Sequence, residues 1–316
     1  MSGKRSGDLG FRLGTGAFAL ALVLLVVGIG VELTRVSMPS IQKFGLAFWR
    51  TSIWDPVAGE FGALPFIWGT LYSSILALVI ATPISLGIAV FISELCPPFL
   101  RQPLMFLTEL LAAIPSIVYG LWGIFVLVPM VRAVETSLPD VVRQLPLFSG
   151  PPLGLGMLAS ALILAVMVIP FSSSVSREVL KSVPSAQREG AYALGATQFE
   201  AIRAALFYAR TGIVGAVMLG FGRALGETMA VTMVIGNTPR ISLSLFAPQY
   251  TMAAVIANEF AEAVEQLHLS ALVEIGLVLF IITLLVNAMS RLLIWSMART
   301  SSTAPVTTEE PVKAAA

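Results

Sequence analysis

Apolar residues fall in six long runs, at 15–33, 66–93, 104–131, 153–172, 211–237 and 272–290, separated by shorter polar stretches. A helix of roughly 20 apolar residues crosses the about 30 Å of hydrocarbon in a bilayer, so each run predicts a membrane-spanning helix. The first run follows Lys4, Arg5 and Arg12, as the core of a secretory signal does. It is longer than the roughly 7–15 residues of such a core, and no small-x-small cleavage site follows Gly30, which predicts a retained helix. Pro83, Pro115 and Pro170 lie inside or at the ends of spans. Each removes a backbone donor and predicts a bend, read equally as a plain packing feature or as the mark of a moving interior. Trp49, Trp54, Trp68 and Tyr72 gather at the entry to the second span and predict interfacial anchors.

Composition agrees with this pattern. Of 316 residues, 57% are hydrophobic and 12% charged, whereas a soluble domain carries about 25% charged residues. Too few polar side chains remain to wet a globule of this length. A net charge of +1 excludes a nucleic-acid partner. The single Cys96 closes no intrachain disulfide and the single His268 builds no metal cage, so no metal or cofactor is expected in the chain. Excess Lys and Arg mark cytoplasmic loops. With six spans, one side collects twelve of them (positions 4, 5, 12, 101, 177, 181, 188, 203, 210, 291, 299 and 313), and the other six (35, 43, 50, 132, 143 and 240). Both termini and segment 173–210 are therefore expected in the cytoplasm of a bacterial inner-membrane protein. The predicted organisation is an all-α membrane protein. Residues 1–65 form the N-terminus, first helix and outer loop; 66–290 form a five-helix membrane domain; 291–316 form a tail, disordered from 300 onward because it lacks an apolar face.

Segment 173–210 is punctuated like folded structure. Pro184 ends the preceding helix, Ser185 is placed as an N-cap, and Gly195 supplies a left-handed C-cap, which predicts a two-turn helix over 186–194. Thr197 with Glu200 forms a capping box that opens the next helix. A helix this short is marginal alone and predicts a partner surface, either its own chain's helix ends or another protein. The stretch Glu189-Gly-Ala-Tyr-Ala-Leu-Gly195 resembles the EAA-x-x-x-G loop of ABC importer membrane subunits, a coupling helix that sits in a groove of the ATPase. Glu189, Gly190, Ala191 and Gly195 carry that resemblance. Gly190 stands where the motif has its first Ala, and Leu206-Phe207 where the family has Leu-Pro.

Depth isolates two charges. If the fifth span enters near Thr211, Arg223 lies about 18 Å in and Glu227 about 24 Å in, whereas Glu94 and Glu274 sit at span ends, where they stay wet. An arginine at mid-span is costly, so it faces a counter-charge or an aqueous path. Four residues apart on one helix face, Arg223 and Glu227 fit either mutual neutralisation or a path. Ala216, Gly220, Ala230 and Val234 share their face and leave it open, while Gly215, Gly222 and Gly226 form a packing stripe beside it. A planar guanidinium suits a tetrahedral oxyanion, without deciding between phosphate and sulfate.

The wider string Gly222-Arg-Ala-Leu-Gly-Glu-Thr-Met-Ala-Val-Thr-Met-Val-Ile-Gly-Asn237 resembles PstC-type permease subunits of phosphate ABC importers. So do Glu109-Leu-Leu-Ala-Ala-Ile-Pro-Ser-Ile-Val-Tyr-Gly-Leu-Trp-Gly123, the string from Phe61 to Thr70, and Ala257-Asn-Glu-Phe-Ala-Glu262. The resemblance implies the type I ABC importer fold and ties Arg223 and Glu227 to phosphate passage. It also implies a complex with a PstA-like permease, two PstB-like ATPases that bind ATP and Mg, and a periplasmic PstS-like phosphate-binding protein, set in membrane lipid. A short outer helix over 250–265 is expected at the docking surface, or as an interfacial helix without a partner. The chain has no G-x-x-x-x-G-K-[ST], so it binds no nucleotide by that motif and is expected not to be an enzyme. A related oxyanion importer and a proton-coupled anion carrier using Glu227 as relay are the competing classes.

Overall fold

The computed structural model describes residues 3–301, with side chains from residue 8 to residue 297. Among the described residues the helices are α1 (Gly3–Val36), α2 (Met38–Phe44), α3 (Leu64–Val90), α4 (Pro98–Ala113), α5 (Ser116–Trp122), α6 (Val128–Ser137), α7 (Asp140–Arg143), α8 (Met157–Lys181), α9 (Ser185–Ala193), α10 (Gln198–Leu225), α11 (Met229–Val234), α12 (Met252–Glu259) and α13 (Gln266–Ser301). A two-stranded antiparallel hairpin, β1 (Trp54–Asp55) and β2 (Glu60–Phe61), separates α2 from α3. Among the described residues, six stretches are long and apolar enough to cross a membrane: Asp8–Val36, Leu64–Leu95, Ser116–Ser137, Met157–Lys181, Gln198–Leu225 and Gln266–Met297. In the first, the most apolar window has no buried residue, a surface that only lipid or an apolar partner hides. The tail expected to be disordered lies, from residue 302, outside the described residues.

Two spans differ from the apolar runs. The run at 104–131 is split by Pro115. Ile114 is held extended (φ −64°, ψ 128°) by the ring that follows it, so α4 stops at Ala113 and the crossing helix is Ser116–Ser137. Pro83 and Pro170, by contrast, lie inside α3 and α8 without ending them. The fifth crossing helix begins at Gln198, at the capping box expected to open it, passes uninterrupted through Leu206-Phe207 and ends at Leu225, short of the end of its apolar run at 237. Two π-turns occur, Phe91–Leu95 at the end of α3 and Gly123–Leu127 between α5 and α6.

Two compact units interleave along the chain. The first draws on Met1–Ala77, Pro115–Leu164 and Leu225–Thr283. Its core gathers Phe48, Phe61, Phe66, Tyr250, Met252, Leu272 and Ile275. Trp54 packs edge-on to Phe61 and Phe66 with ring centroids 4.8 and 4.9 Å apart, and its Nε1 donates to Glu259 Oε2 at 2.9 Å. Trp68 Nε1 donates to the Ser242 carbonyl at 3.0 Å, and the Tyr72 hydroxyl to the Leu243 carbonyl at 2.8 Å. These aromatics were expected to be interfacial anchors. Their polar ends are instead spent on protein acceptors, and Trp49 packs against the same core. In this unit α5 and the π-turn that follows it pack closely at two glycines. A Cβ on Gly120 would collide with Met233 Sδ, and one on Gly123 with Ile163 and Val234. The expected outer helix is α12, capped by Thr251, whose Oγ1 accepts from Ala254 N at 3.3 Å.

The second unit draws on Leu78–Ile114, Ala165–Ala224 and Leu284–Ala316. Here α8 and α10 press together through glycines: a Cβ on Gly212 would meet Val179, and one on Gly220 would collide with Ser172 and Val168. Ala216 is also fully buried. The face of Ala216 and Gly220, expected to be open, is therefore the packed one. Gly215 and Gly222 make looser approaches, to Ile294 and Asn287.

Candidate functional site

The segment after α8 folds as its punctuation predicts, one residue earlier at its start. Pro184, not Ser185, takes the N-cap position, without a side-chain cap bond, and α9 runs from Ser185 to Ala193. Gly195 takes φ 82°, and two bonds close the end: Ala196 N to Ala191 O at 3.1 Å and Gly195 N to Tyr192 O at 2.9 Å. This paired 6→1 and 5→2 pattern needs a left-handed residue, which glycine supplies without a Cβ penalty. The capping box forms as well. Glu200 Oε2 accepts from Thr197 N at 2.8 Å, and Glu200 N donates back to Thr197 Oγ1 at 3.4 Å. Along α9, Glu189 and Gly190 are exposed and Ala191 is half-buried; an added Cβ at Gly190 or Gly195 meets nothing within 4 Å. Tyr192, Leu194 and Phe199 hold large apolar surface open to solvent, Leu194 at 91%. α9 thus ends in a closed cap and presents small residues and an apolar rim to solvent.

Arg223 and Glu227 do not share a helix face. Arg223 lies in the last turn of α10, which stops at Leu225; Gly226 to Thr228 form a non-helical joint, and α11 starts at Met229. Glycines at Gly222 and Gly226 permit that ending where a continuous span was expected. The Arg223 side chain is exposed, its guanidinium carbon 6.0 Å from the Phe171 ring centroid. Glu227 is half-buried, with Oε1 3.5 Å from Ala230 N at the start of α11.

Comparison with known proteins joins these features. Residues 86–299 match the family described as binding-protein-dependent transport system inner membrane component. The chain belongs to that family. Its relatives include a phosphate transport system permease protein PstC of Mesorhizobium japonicum, 48% identical over 290 residues that cover 90% of this chain and 89% of that one. A protein of the same name from Haemophilus influenzae is 47% identical over 92% of this chain and 94% of its own. Among solved structures, a chain from the inward-facing methionine ABC transporter MetNI matches with TM-score 0.57 at 16% identity, over 77% of this chain and 99% of that one. The type I ABC importer fold expected from the sequence is thus present, in a multi-pass inner-membrane transport component.

Within this family fold, three charged groups are buried where depth along the spans predicts otherwise. Glu94, expected to stay wet, has a side chain only 12% exposed and pairs with Arg188 on α9. Arg188 Nη2 donates to Glu94 Oε1 at 2.6 Å and Nε to Oε2 at 3.1 Å, while Nη2 and Nη1 donate to the carbonyls of Leu180 and Val183 at 3.0 Å each. α9 is thereby pinned at once to the end of α3 and to the end of α8. Arg177 is the second. It was assigned to the loop, yet α8 continues past it and leaves its side chain 7% exposed. Glu274, also expected to stay wet, is 2% exposed in the first unit. Burial by sequence-distant partners gives no local signal. The extra helical turns after Ser172 were the one available clue, hidden by the polar run Ser172-Ser-Ser.

Proposed function

We propose that the chain is the permease subunit of an ATP-driven importer that carries inorganic phosphate across the cytoplasmic membrane. The observation that carries this is the family match, with PstC-named relatives aligned over nine-tenths of the chain. The pinned, exposed α9 supports the mechanical half of the reading. In it, Glu189, Gly190, Ala191 and Gly195 seat the permease in a PstB-like ATPase dimer, which binds ATP and Mg. A PstA-like permease completes the membrane pair, and a PstS-like binding protein delivers phosphate to outer loops 35–65, 132–152 and 239–271. Both termini are cytoplasmic, on the side holding twelve of the sorted basic residues.

Arg223 and Glu227 are assigned to substrate passage. The end of α10 supports this role, because a helix that stops beside an arginine exposes a charged, unpacked position where an oxyanion gains two hydrogen bonds and a fixed charge. Chemistry of bond making belongs to the ATPase. This subunit binds, desolvates and releases the anion as its helices are driven by α9.

The test is reconstitution of the four-component complex in liposomes. ATP-dependent phosphate accumulation is expected, with Arg223→Ala lowering uptake about 100-fold while co-purification of partners is kept. Phosphate accumulation in ATPase-free vesicles under a proton gradient refutes the importer. Unimpaired uptake by Arg223→Ala removes the assignment of that arginine.

A further inference from the structure

A second guanidinium in the α8–α10 unit is more deeply buried than Arg223. Arg177 has 6% of its surface exposed. Its Nη2 donates to Glu178 Oε1 at 2.8 Å, and the next carboxylate, Glu109, is 3.9 Å away. Nε and Nη1 are both buried without a hydrogen-bond partner. Five N–H donors make guanidinium demanding, and an idle buried donor destabilises the fold that holds it. The pair with Glu178 does not explain the burial. Glu178 is 59% exposed, and a largely solvated pair forms as well with an exposed arginine.

The surroundings lead from Arg177 to Arg223. Ser172, Ser173 and Ser176 precede Arg177 on α8 and are each 2% exposed. At 100° per residue these four lie within about 140° of the helix circumference. Ser172 Oγ is also buried and unpartnered, beside the bare Cα of Gly220. Phe171, one residue earlier, is the ring beneath the Arg223 guanidinium. One side of α8 therefore carries hydroxyls and a second cation over about 9 Å of helix, from the neighbour of Arg223 toward α9.

We propose that Arg177, with Ser172, is a second oxyanion-binding station, reached after Arg223 on the way out. This rests on the reading that the chain passes phosphate. Idle N–H and O–H donors are the groups that replace the water shell of a tetrahedral anion. Two stations in series let each hold the anion weakly enough to release it, as conduction requires. Both donors of Arg177 are shielded in this structure, so the station fills during turnover.

The experiment uses the reconstituted complex with inorganic phosphate as probe. Arg177→Gln is expected to lower phosphate delivered per ATP hydrolysed about tenfold, Arg177→Lys about threefold, and Glu178→Gln less than about twofold. Delivery within about twofold of wild type in Arg177→Gln overturns the proposal, as does its restoration in the Arg177→Gln/Glu178→Gln pair, which marks a structural ion pair. A second measurement covers poor assembly. Ser176→Cys in a Cys96→Ser background should be modified by an anionic thiosulfonate only with ATP present, and millimolar phosphate on the cytoplasmic side should slow this about fivefold. Absence of protection overturns the proposal. So does protection that follows phosphatidylglycerol content instead of phosphate, which identifies a lipid headgroup. If the wild-type complex carries another oxyanion, the phosphate reading fails while the same Arg177→Gln ratio, read with that anion, still decides the station.

Discussion

Replacing Arg188 by Ala removes four hydrogen bonds at once: two to Glu94 and one each to the carbonyls of Leu180 and Val183. The two side chains are 23% and 12% exposed, so the pair is mostly but not wholly desolvated. Breaking a fully buried pair costs about 3–5 kcal/mol, and an exposed one under about 1 kcal/mol. At this exposure we expect about 2–3 kcal/mol, spent locally because α9 has no buried residue of its own. That is roughly a 30- to 150-fold rise in local opening, read as faster hydrogen exchange of the α9 amides in the purified complex. Glu94→Gln should give a smaller acceleration, since the two carbonyl bonds survive. The swapped pair Arg188→Glu/Glu94→Arg should recover only part of the loss, because an arginine at 94 does not supply the carbonyl bonds. Binding-protein stimulation of ATP hydrolysis should fall in step with exchange. Exchange within about threefold of wild type in Arg188→Ala refutes the reasoning and makes the clamp incidental.

Two further perturbations follow from the glycines. Gly195→Ala places a Cβ at φ 82° and should weaken the end of α9 by about 1 kcal/mol; Gly190→Ala, helical and with open space around it, should strengthen α9 by about 0.5–1 kcal/mol, and exchange rates of residues 185–196 should move in opposite directions. Gly120→Leu drives a side chain into Met233 and Ala230, so thermal unfolding of the purified subunit should shift down, by about 2–3 kcal/mol in stability; an unchanged unfolding midpoint contradicts the close contact of α5 with α11.

What could be read from the chain was what neighbours in sequence decide. Pro184 and Gly195 bound α9 and Thr197 with Glu200 opens α10, each acting over three or four residues, so both elements emerged as expected except that Pro184, not Ser185, holds the N-cap position of α9. Six crossing helices also followed, since hydropathy sums over a window. Their ends were harder. Pro115 ends α4 whereas Pro83 and Pro170 lie inside α3 and α8, and whether proline bends a helix or ends it depends on whether neighbours satisfy the freed carbonyls, which no local pattern states. The same limit placed Arg223 and Glu227 on one face: a glycine-rich stretch permits either a continued helix or the break at Gly226. Trp54 and Trp68 look alike in sequence to membrane anchors until Glu259 and the Ser242 carbonyl are brought to them from nearly two hundred residues away.

The buried arginines show why composition alone understates a membrane protein's charges. Arg188 and Arg177 lie in the same unit, eleven positions apart, and both sit against carboxylates. Arg188 engages all three nitrogens, and a guanidinium so satisfied gains nothing from an incoming anion, which would have to displace Glu94 and two carbonyls. Arg177 uses one nitrogen of three. Burial is shared between them; the number of idle donors is not. On the proposals made above, that difference leaves the first to hold α9 and the second to meet an anion. It also separates them experimentally: restoring charge balance with a swapped partner should help at 188 and not at 177, where Nε and Nη1 have no partner to restore.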